Sequence, residues 1–219
     1  MKQVNDEYLP VNLALNQKNF LVVGGGNVAV RKIDLLVPRG AYLTVVAKNP
    51  VDKIRELEKN SLLILHEKEY ETADLEHMDY VIAATDDHDL NHKIFEQCKY
   101  RNILANVVDD PEHCDFIFPS ILRRGPITFT VSTSGKSPFL SAFLRQIMEN
   151  AFTDEWILIG EMAGKYRKYV MKKFKEQDDK KAECYKRFLD VNWVELLRQQ
   201  GEEETESYYN KLLDSLEEL

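Results

Sequence analysis

Asn19-Phe-Leu-Val-Val-Gly-Gly-Gly-Asn-Val-Ala29 joins a short apolar run to three glycines and then to a segment with helical spacing. The β-branched run predicts a strand, and the apolar residues within 28–37 predict a helix. Because the pattern Gly24-x-Gly26-x-x-Ala29 lies at the junction, it is typical of a turn that binds a dinucleotide pyrophosphate. Glycine permits the sharp turn and the close approach of backbone to phosphate, and free N–H groups at the helix start attract the anion.

We expect the cofactor to contact five consecutive residues of this turn: Gly24, Gly25, Gly26, Asn27 and Val28. The alternative is a glycine-rich turn that binds nothing. An Asp or Glu for the ribose is expected about 20 residues after the turn, but Ala47, Lys48 and Asn49 occupy those positions. We expect Ala47 and Asn49 to contact the cofactor. Lys48 would favour a 2′-phosphate, so the pattern leaves NAD and NADP both open.

The following segments alternate between strand and helix patterns. Strands are predicted at 41–47, 62–65, 80–84 and 103–108, and helices at 52–60 and 89–100. Pro38-Arg39-Gly40 ends the first helix. This alternation predicts a Rossmann-type doubly wound parallel sheet over residues 1–110.

The pattern changes after Val108. Short strands are predicted at 116–118 and 127–132, separated by Arg123-Arg124-Gly125-Pro126, and a helix at 138–151. Three further amphipathic helices are predicted between 156 and 219. We therefore expect a small α+β segment over residues 111–150 and a helical domain over residues 151–219.

Polar residues follow two neighbouring strands at the edge where open α/β sheets bind ligands. Thr85 and Asp86 follow the fourth strand and are expected to contact the cofactor; the alternative is that Asp86 or Asp87 caps the next helix. Asn106 is expected to contact the cofactor from the fifth strand. Asp109 is the best candidate for proton transfer, and its alternative role is that of a turn residue before Asp110-Pro111.

The composition narrows the partners. A formal net charge of −8 argues against nucleic-acid binding. Cys98, Cys114 and Cys184 are too far apart to suggest a disulfide framework, which favours a reducing cytoplasm. The sequence shows no export leader and no apolar stretch long enough to span a membrane, so no membrane partner is expected. His88 and His92 are one helical turn apart but lack a third ligand, so no metal site is expected.

The chain resembles the precorrin-2 dehydrogenase/sirohydrochlorin ferrochelatase family, the siroheme synthase module. The resemblance covers roughly residues 8 to 145 and rests on a series of motifs in the family's order. These are Tyr8-Leu-Pro-Val-Asn-Leu-Ala-Leu15, Val22-Val-Gly-Gly-Gly-Asn-Val-Ala-Val-Arg-Lys32, Ala83-Ala-Thr-Asp-Asp87, Asn106-Val-Val-Asp109, Phe116-Ile-Phe-Pro-Ser-Ile121 and Val131-Ser-Thr-Ser-Gly-Lys-Ser-Pro138. Beyond about residue 150 only the helical character is similar.

The resemblance implies NAD-dependent oxidation of precorrin-2 to sirohydrochlorin, with Asp109 as the acid/base residue, in a homodimer formed through the 111–150 segment. Some family members also insert Fe²⁺ into sirohydrochlorin. For a polycarboxylate substrate, we expect contacts from Arg123, Arg124, Ser134 and Lys136. Two alternatives stay open: a non-enzymatic sensor that binds NAD without turnover, and a tetrapyrrole chelatase or carrier without hydride transfer.

Overall fold

The computed structural model describes residues 8–218, and the chain divides into two compact units between Phe118 and Pro119. None of the helices within these residues is long and apolar enough to cross a membrane. The three-part division expected from the sequence, at residues 110 and 150, stays a prediction.

The first unit is a five-stranded parallel sheet with the strand order β3-β2-β1-β4-β5. Its strands are β1 (Asn19–Val23), β2 (Tyr42–Val46), β3 (Ile64–His66), β4 (Tyr80–Ala83) and β5 (Leu104–Val107). Its helices are α1 (Asn27–Leu36), α2 (Asp52–Lys59) and α3 (His88–Arg101). The order reverses between β1 and β4, which is the arrangement of a Rossmann-type sheet, and the predicted fold class is confirmed.

Both faces of this sheet are covered, which explains why β1 and β4 are apolar throughout. Successive residues of β1 enter different cores: Phe20 and Val22 join Ile33 of α1, whereas Leu21 joins Ile94 of α3. Alternate side chains of a strand point to opposite faces, so a strand with helices on both sides lacks the polar alternation of a half-exposed strand.

The predicted end of the first helix is confirmed. A short 3₁₀ turn at Val37–Arg39 follows α1, with Pro38 in its first turn, and Gly40 ends it with a φ of 71°. Proline cannot continue the hydrogen-bond pattern of the helix, and glycine adopts the left-handed conformation without a steric penalty.

The second unit begins with the antiparallel hairpin β6 (Ser120–Arg124) and β7 (Ile127–Val131). Four helices follow: α4 (Pro138–Ala151), α5 (Glu155–Lys173), α6 (Asp178–Leu189) and α7 (Trp193–Ser215), the last kinked at Gly201. The three helices expected after residue 156 are confirmed. Their aromatic core is tied by polar contacts, because the Trp193 indole N–H donates to the Phe188 carbonyl at 2.8 Å.

Two details predicted for the region after residue 110 are wrong. Residues 116–118 form no strand. Phe116 and Phe118 each pack against the apolar core that Phe20, Val22 and Ile33 share, and the Phe116 ring lies edge-on to Tyr80 at 5.8 Å. The alternating apolar residues of this segment have no neighbouring strand to pair with, so no β-ladder forms. The connection between the last two strands is also shorter than expected, because Arg123 and Arg124 end β6 and only Gly125 and Pro126 form the turn.

Candidate active site

The glycine turn between β1 and α1 touches the ends of both neighbouring strands. The Gly24 N–H donates to the Val46 carbonyl of β2 at 2.9 Å. On the other side, a Cβ at Gly24 would lie 2.2 Å from the carbonyl oxygen of Ala84, just after β4, and the φ of Gly24 is +120°. Neither this space nor this conformation accepts a side chain. Glycine is therefore required by the protein itself, before any ligand is considered.

The next two glycines differ in their surroundings. A Cβ at Gly25 would lie 2.8 Å from the Cβ of Ala47 and 2.7 Å from the Cα of Pro50, so the chain fills that side. A Cβ at Gly26 would meet no described atom within 4 Å. Because neither the fold nor the backbone φ requires a glycine at position 26, the open space there fits a pyrophosphate close to the backbone.

The start of α1 is suited to an anion. Gly26 caps the helix without a side-chain hydrogen bond, and the first turn carries no acidic residue. The first N–H groups of a helix have no partner within it, and they carry the positive end of its dipole. Asn27, which is exposed, and Val28, which is half-buried, supply these groups in α1. The turn therefore fits a dinucleotide, as the sequence predicts.

The segment after β2 borders this turn. Ala47 is buried and its N–H donates to the His66 carbonyl, so its place is set by the sheet. Asn49 is exposed. Lys48 forms an ion pair of 2.9 Å with Glu69, and hydrogen bonding to Glu69 raises the Lys48 pKa. The roles of Ala47 and Asn49 in cofactor binding stay predictions.

The loop after β4 is held by a residue that the sequence analysis missed. Asn91 of α3 is buried, accepts a hydrogen bond from the Thr85 hydroxyl at 2.6 Å and donates to the Thr85 carbonyl at 2.9 Å. Asp87 caps α3 by accepting from the Leu90 N–H at 3.0 Å, which is the capping role considered for this pair of acids. Asp86 is exposed, and its predicted cofactor contact and that of Thr85 stay predictions.

Asp109 lies at the end of β5, on the other side of the β4 end from the glycine turn. Residues 108–110 follow β5 and are called the β5 turn here. The Val108 N–H donates to the Ala83 carbonyl at 2.9 Å, which joins the β5 turn to β4. Asp109 itself is exposed and has a φ of 61°, in the left-handed region. Aspartate tolerates this conformation better than most residues. The carboxylate is thus presented to solvent at the edge that carries the glycine turn.

The β5 turn is closed by Cys114 and Asn106. The Cys114 sulfur lies 3.2 Å from both the Val107 and the Asp110 carbonyl oxygens and accepts from the Val107 N–H at 3.3 Å. Burial raises the pKa of this thiol, so it stays protonated and can donate. Asn106 is also buried, and its Nδ2 donates to the Phe116 carbonyl at 2.9 Å. This contact serves the turn, and the cofactor contact of Asn106 stays a prediction.

The Oδ1 atom of Asn106 is buried without a hydrogen-bond partner among the described residues. Beside the turn, the His113 ring nitrogen Nδ1 lies 2.7 Å from Asp110 Oδ2. Within residues 8–218, no three His, Cys, Asp or Glu side chains are placed to hold a metal ion.

Residues expected to contact the substrate lie in the second unit, at opposite ends of its hairpin. Arg123 is exposed near the hairpin turn, whereas Arg124 donates to the Phe152 carbonyl at 3.0 Å and pairs with Asp154 at 3.1 Å. Ser134, with a φ of 51°, and Lys136, which is exposed, follow the far end of β7. The structure does not bring these four residues into one cluster, and their substrate contacts stay predictions.

The family is shown by sequence comparison. The family described as "Putative NAD(P)-binding" matches residues 11–120, which is half of the chain and includes the glycine turn and Asp109. The chain belongs to this family. Its cofactor is therefore a pyridine dinucleotide, as expected from the glycine turn.

Curated relatives are similar over most of this chain. A siroheme synthase of Ruthia magnifica subsp. Calyptogena magnifica is 35% identical over 84% of this chain and 39% of its own length. Siroheme synthase 1 of Cronobacter sakazakii is 42% identical over 74% of this chain and 34% of its own. The chain thus spans well under half the length of these relatives. The solved structure of SirC, precorrin-2 dehydrogenase, matches 97% of this chain and 100% of that chain, with a TM-score of 0.73 and 22% identity. That likeness shows the fold.

Proposed function

We propose that this chain catalyses the NAD-dependent dehydrogenation of precorrin-2 to sirohydrochlorin. The observation that carries the proposal is the placement of two turns on either side of the end of β4. The glycine turn contacts Ala84, and the β5 turn that presents Asp109 bonds to Ala83. A redox cofactor bound at the glycine turn would therefore have the Asp109 carboxylate at the same edge of the sheet. The siroheme synthase relatives support the choice of substrate.

The dehydrogenation removes one hydride and one proton from the substrate, and the glycine turn and Asp109 have different roles in it. Bound NAD⁺ supplies the hydride acceptor. The backbone N–H groups at the start of α1 bind the pyrophosphate and so fix the cofactor's position along the sheet edge. The Asp109 carboxylate accepts the proton released from the substrate carbon. Because Asp109 is exposed, it can pass this proton to water and return to its ionised form.

Replacing Asp109 by asparagine tests this role. We expect Asp109→Asn to lower turnover by about 10²- to 10⁴-fold, which is the usual contribution of a positioned general base. Asparagine also tolerates the left-handed conformation, so the fold and NAD binding should be unchanged. The assay follows sirohydrochlorin absorbance after precorrin-2 and NAD are mixed with the enzyme.

The matched control is Asp34→Asn, which removes an exposed carboxylate from α1 without touching either turn. Wild-type turnover in Asp109→Asn would remove Asp109 from proton transfer. If the wild-type protein binds NAD in a calorimeter but never converts precorrin-2, the sensor hypothesis replaces the dehydrogenase. Binding of the macrocycle with no dependence on NAD would instead support a carrier.

We propose NAD rather than NADP as the cofactor. Lys48, the one cation directly after β2, is held at 2.9 Å by Glu69, so its charge is already compensated. A 2′-phosphate there would have to compete with this carboxylate. Calorimetry should give a lower Kd for NAD than for NADP, and the opposite order would contradict the proposal.

We also propose a homodimer in which α4 contributes to the interface. One face of α4 exposes apolar side chains at helical spacing: Phe139, Leu140, Phe143, Leu144 and Ile147. Soluble monomers rarely leave so continuous an apolar stripe in water. Sedimentation equilibrium should give twice the chain mass of 25.5 kDa. Insertion of Fe²⁺ into sirohydrochlorin stays a prediction. A cytoplasmic location also stays a prediction, and the three free thiols favour it.

A further inference from the structure

Lys32 differs from the other lysines of the first unit. It lies on α1 and is partly buried, yet no described carboxylate lies within 4.0 Å of its Nζ atom. Lys18 and Lys68 are also partly buried, but each has a carboxylate at 3.1 Å or less. The remaining lysines described between residues 8 and 118 are exposed. Lys32 is therefore a partly desolvated cation without an anionic partner.

The surroundings of Lys32 compensate its charge only in part. Its ammonium lies 4.5 Å from the centroid of the Phe118 ring, an arrangement that favours a cation. Burial, and then the positive charge of Arg31, lower the pKa of Lys32, whereas the acidic groups of Cys114 and Asp109 act in the opposite direction. Phe118 is two residues beyond Phe116, whose carbonyl accepts from Asn106 of β5, so the ammonium lies beside the segment that is bonded to β5. An anion bound to this ammonium would form a charge-assisted hydrogen bond that is partly shielded from solvent.

The place of Lys32 on the helix separates it from the pyrophosphate. It is six residues beyond Gly26, which is about 9 Å along the helix axis at 1.5 Å per residue. The N–H groups that suit the pyrophosphate are at the opposite end of this span. An anion bound at Lys32 would therefore be separate from the pyrophosphate and would lie beside the Phe118 ring.

We propose that the Lys32 ammonium binds a carboxylate of the tetrapyrrole substrate and so positions the macrocycle beside Asp109. This inference rests on the proposed function and deepens it, since an ion pair with one carboxylate helps to fix the position of a polycarboxylate substrate. Lys32 acts as a substrate-binding residue, and Asp109 remains the group that takes the proton.

The test compares Lys32→Met, Lys32→Arg and the control Lys93→Met, which removes an exposed lysine of α3. Loss of a hydrogen bond to a charged group should raise the KM for precorrin-2 in Lys32→Met by about 10- to 100-fold. The Kd for NAD, measured by calorimetry, should stay within a factor of about two because the pyrophosphate is bound elsewhere. Lys32→Arg should recover most of the affinity, since arginine keeps the charge and the contact with an aromatic ring.

A second measurement needs no turnover. An octacarboxylate porphyrin and its octamethyl ester are titrated against the protein by fluorescence, and the preference of the wild type for the free acid should be lost in Lys32→Met. An unchanged preference together with an unchanged KM overturns the proposal, as does a loss that falls on NAD affinity instead. If Lys32→Met fails to fold, Lys32→Gln is measured in the same way. A wild type without turnover would contradict the proposed function, whereas the porphyrin titration would still judge Lys32.

Discussion

The two turns beside the end of β4 share one unusual backbone feature. Both follow a parallel strand, and both contain a residue with positive φ, Gly24 at +120° and Asp109 at +61°. They differ in the space around that residue. A side chain at Gly24 would collide with the Ala84 carbonyl, whereas the side chain of Asp109 extends into solvent.

This difference matches the task that the proposed function assigns to each turn. Binding a phosphate with backbone N–H groups requires close approach of the ligand to the main chain, which a side chain would prevent. Proton transfer requires the opposite, a side chain that extends from the turn. Aspartate combines a carboxylate with tolerance of the left-handed conformation, so one residue can serve as both turn former and base. The comparison predicts that substitutions at the two turns will differ in size and in kind.

The largest expected effect is on stability, from Gly24→Ala. The new Cβ would stand 2.2 Å from the Ala84 oxygen and would hold an unfavourable φ. Together, backbone strain and overpacking should lower the free energy of unfolding by about 2–5 kcal/mol. Urea unfolding followed by circular dichroism measures this change.

Gly164→Ala is the control for that substitution. Gly164 lies within α5, its added Cβ would meet nothing within 4 Å, and its φ is not positive. Alanine is the better helix former, so stability should rise by about 0.5–1 kcal/mol. Equal losses at both glycines would mean that the close contact at Gly24 is not what demands glycine.

Gly26→Ala should separate ligand binding from folding. The methyl group would enter the open space at Gly26, so the stability cost should be about that of exchanging glycine for alanine at a helix cap, below about 1 kcal/mol. Because the pyrophosphate is expected in this space, the Kd for NAD should rise by about tenfold or more. Calorimetry of the folded variant gives the answer. An unchanged Kd would place the pyrophosphate elsewhere and would remove the main support for the dehydrogenase.

The sequence was sufficient for the parts of this comparison that depend on local pattern. The glycine turn, β1 and the position of Asp109 after β5 could be predicted, because a run of apolar residues and the conformations that glycine and aspartate favour are properties of short segments. The strand predicted at 62–65 is Ile64–His66, two residues later at its start, because the Leu62 N–H donates to the Leu57 carbonyl of α2 and the pairing with β2 begins at Ile64.

The supporting residues could not be predicted because they act through contacts made only after folding. Asn91 of α3 bonds to Thr85 in the preceding loop, and Cys114 closes the β5 turn with its sulfur. In the sequence, Lys32 is one basic residue of the motif after β1, and its contact with the Phe118 ring, 86 residues further along the chain, forms only in the folded protein. A pattern identifies residue types, but burial and missing partners are known only from the tertiary structure.

The smallest effect on stability is expected from replacing Asp109 by glycine. Glycine relieves the left-handed conformation but adds entropy to the unfolded chain, and these opposing contributions should leave the free energy of unfolding within about 1 kcal/mol of the wild type. Asp109→Val, which places a β-branched residue at positive φ, should lower it by about 1–2 kcal/mol. Both variants lack the carboxylate, so both should lose turnover to a similar extent despite their different stabilities. If Asp109→Gly instead loses as much free energy of unfolding as Asp109→Val, the carboxylate stabilises the turn itself. The proposed difference between the two turns, one binding a ligand through its backbone and the other through a side chain, would then be wrong.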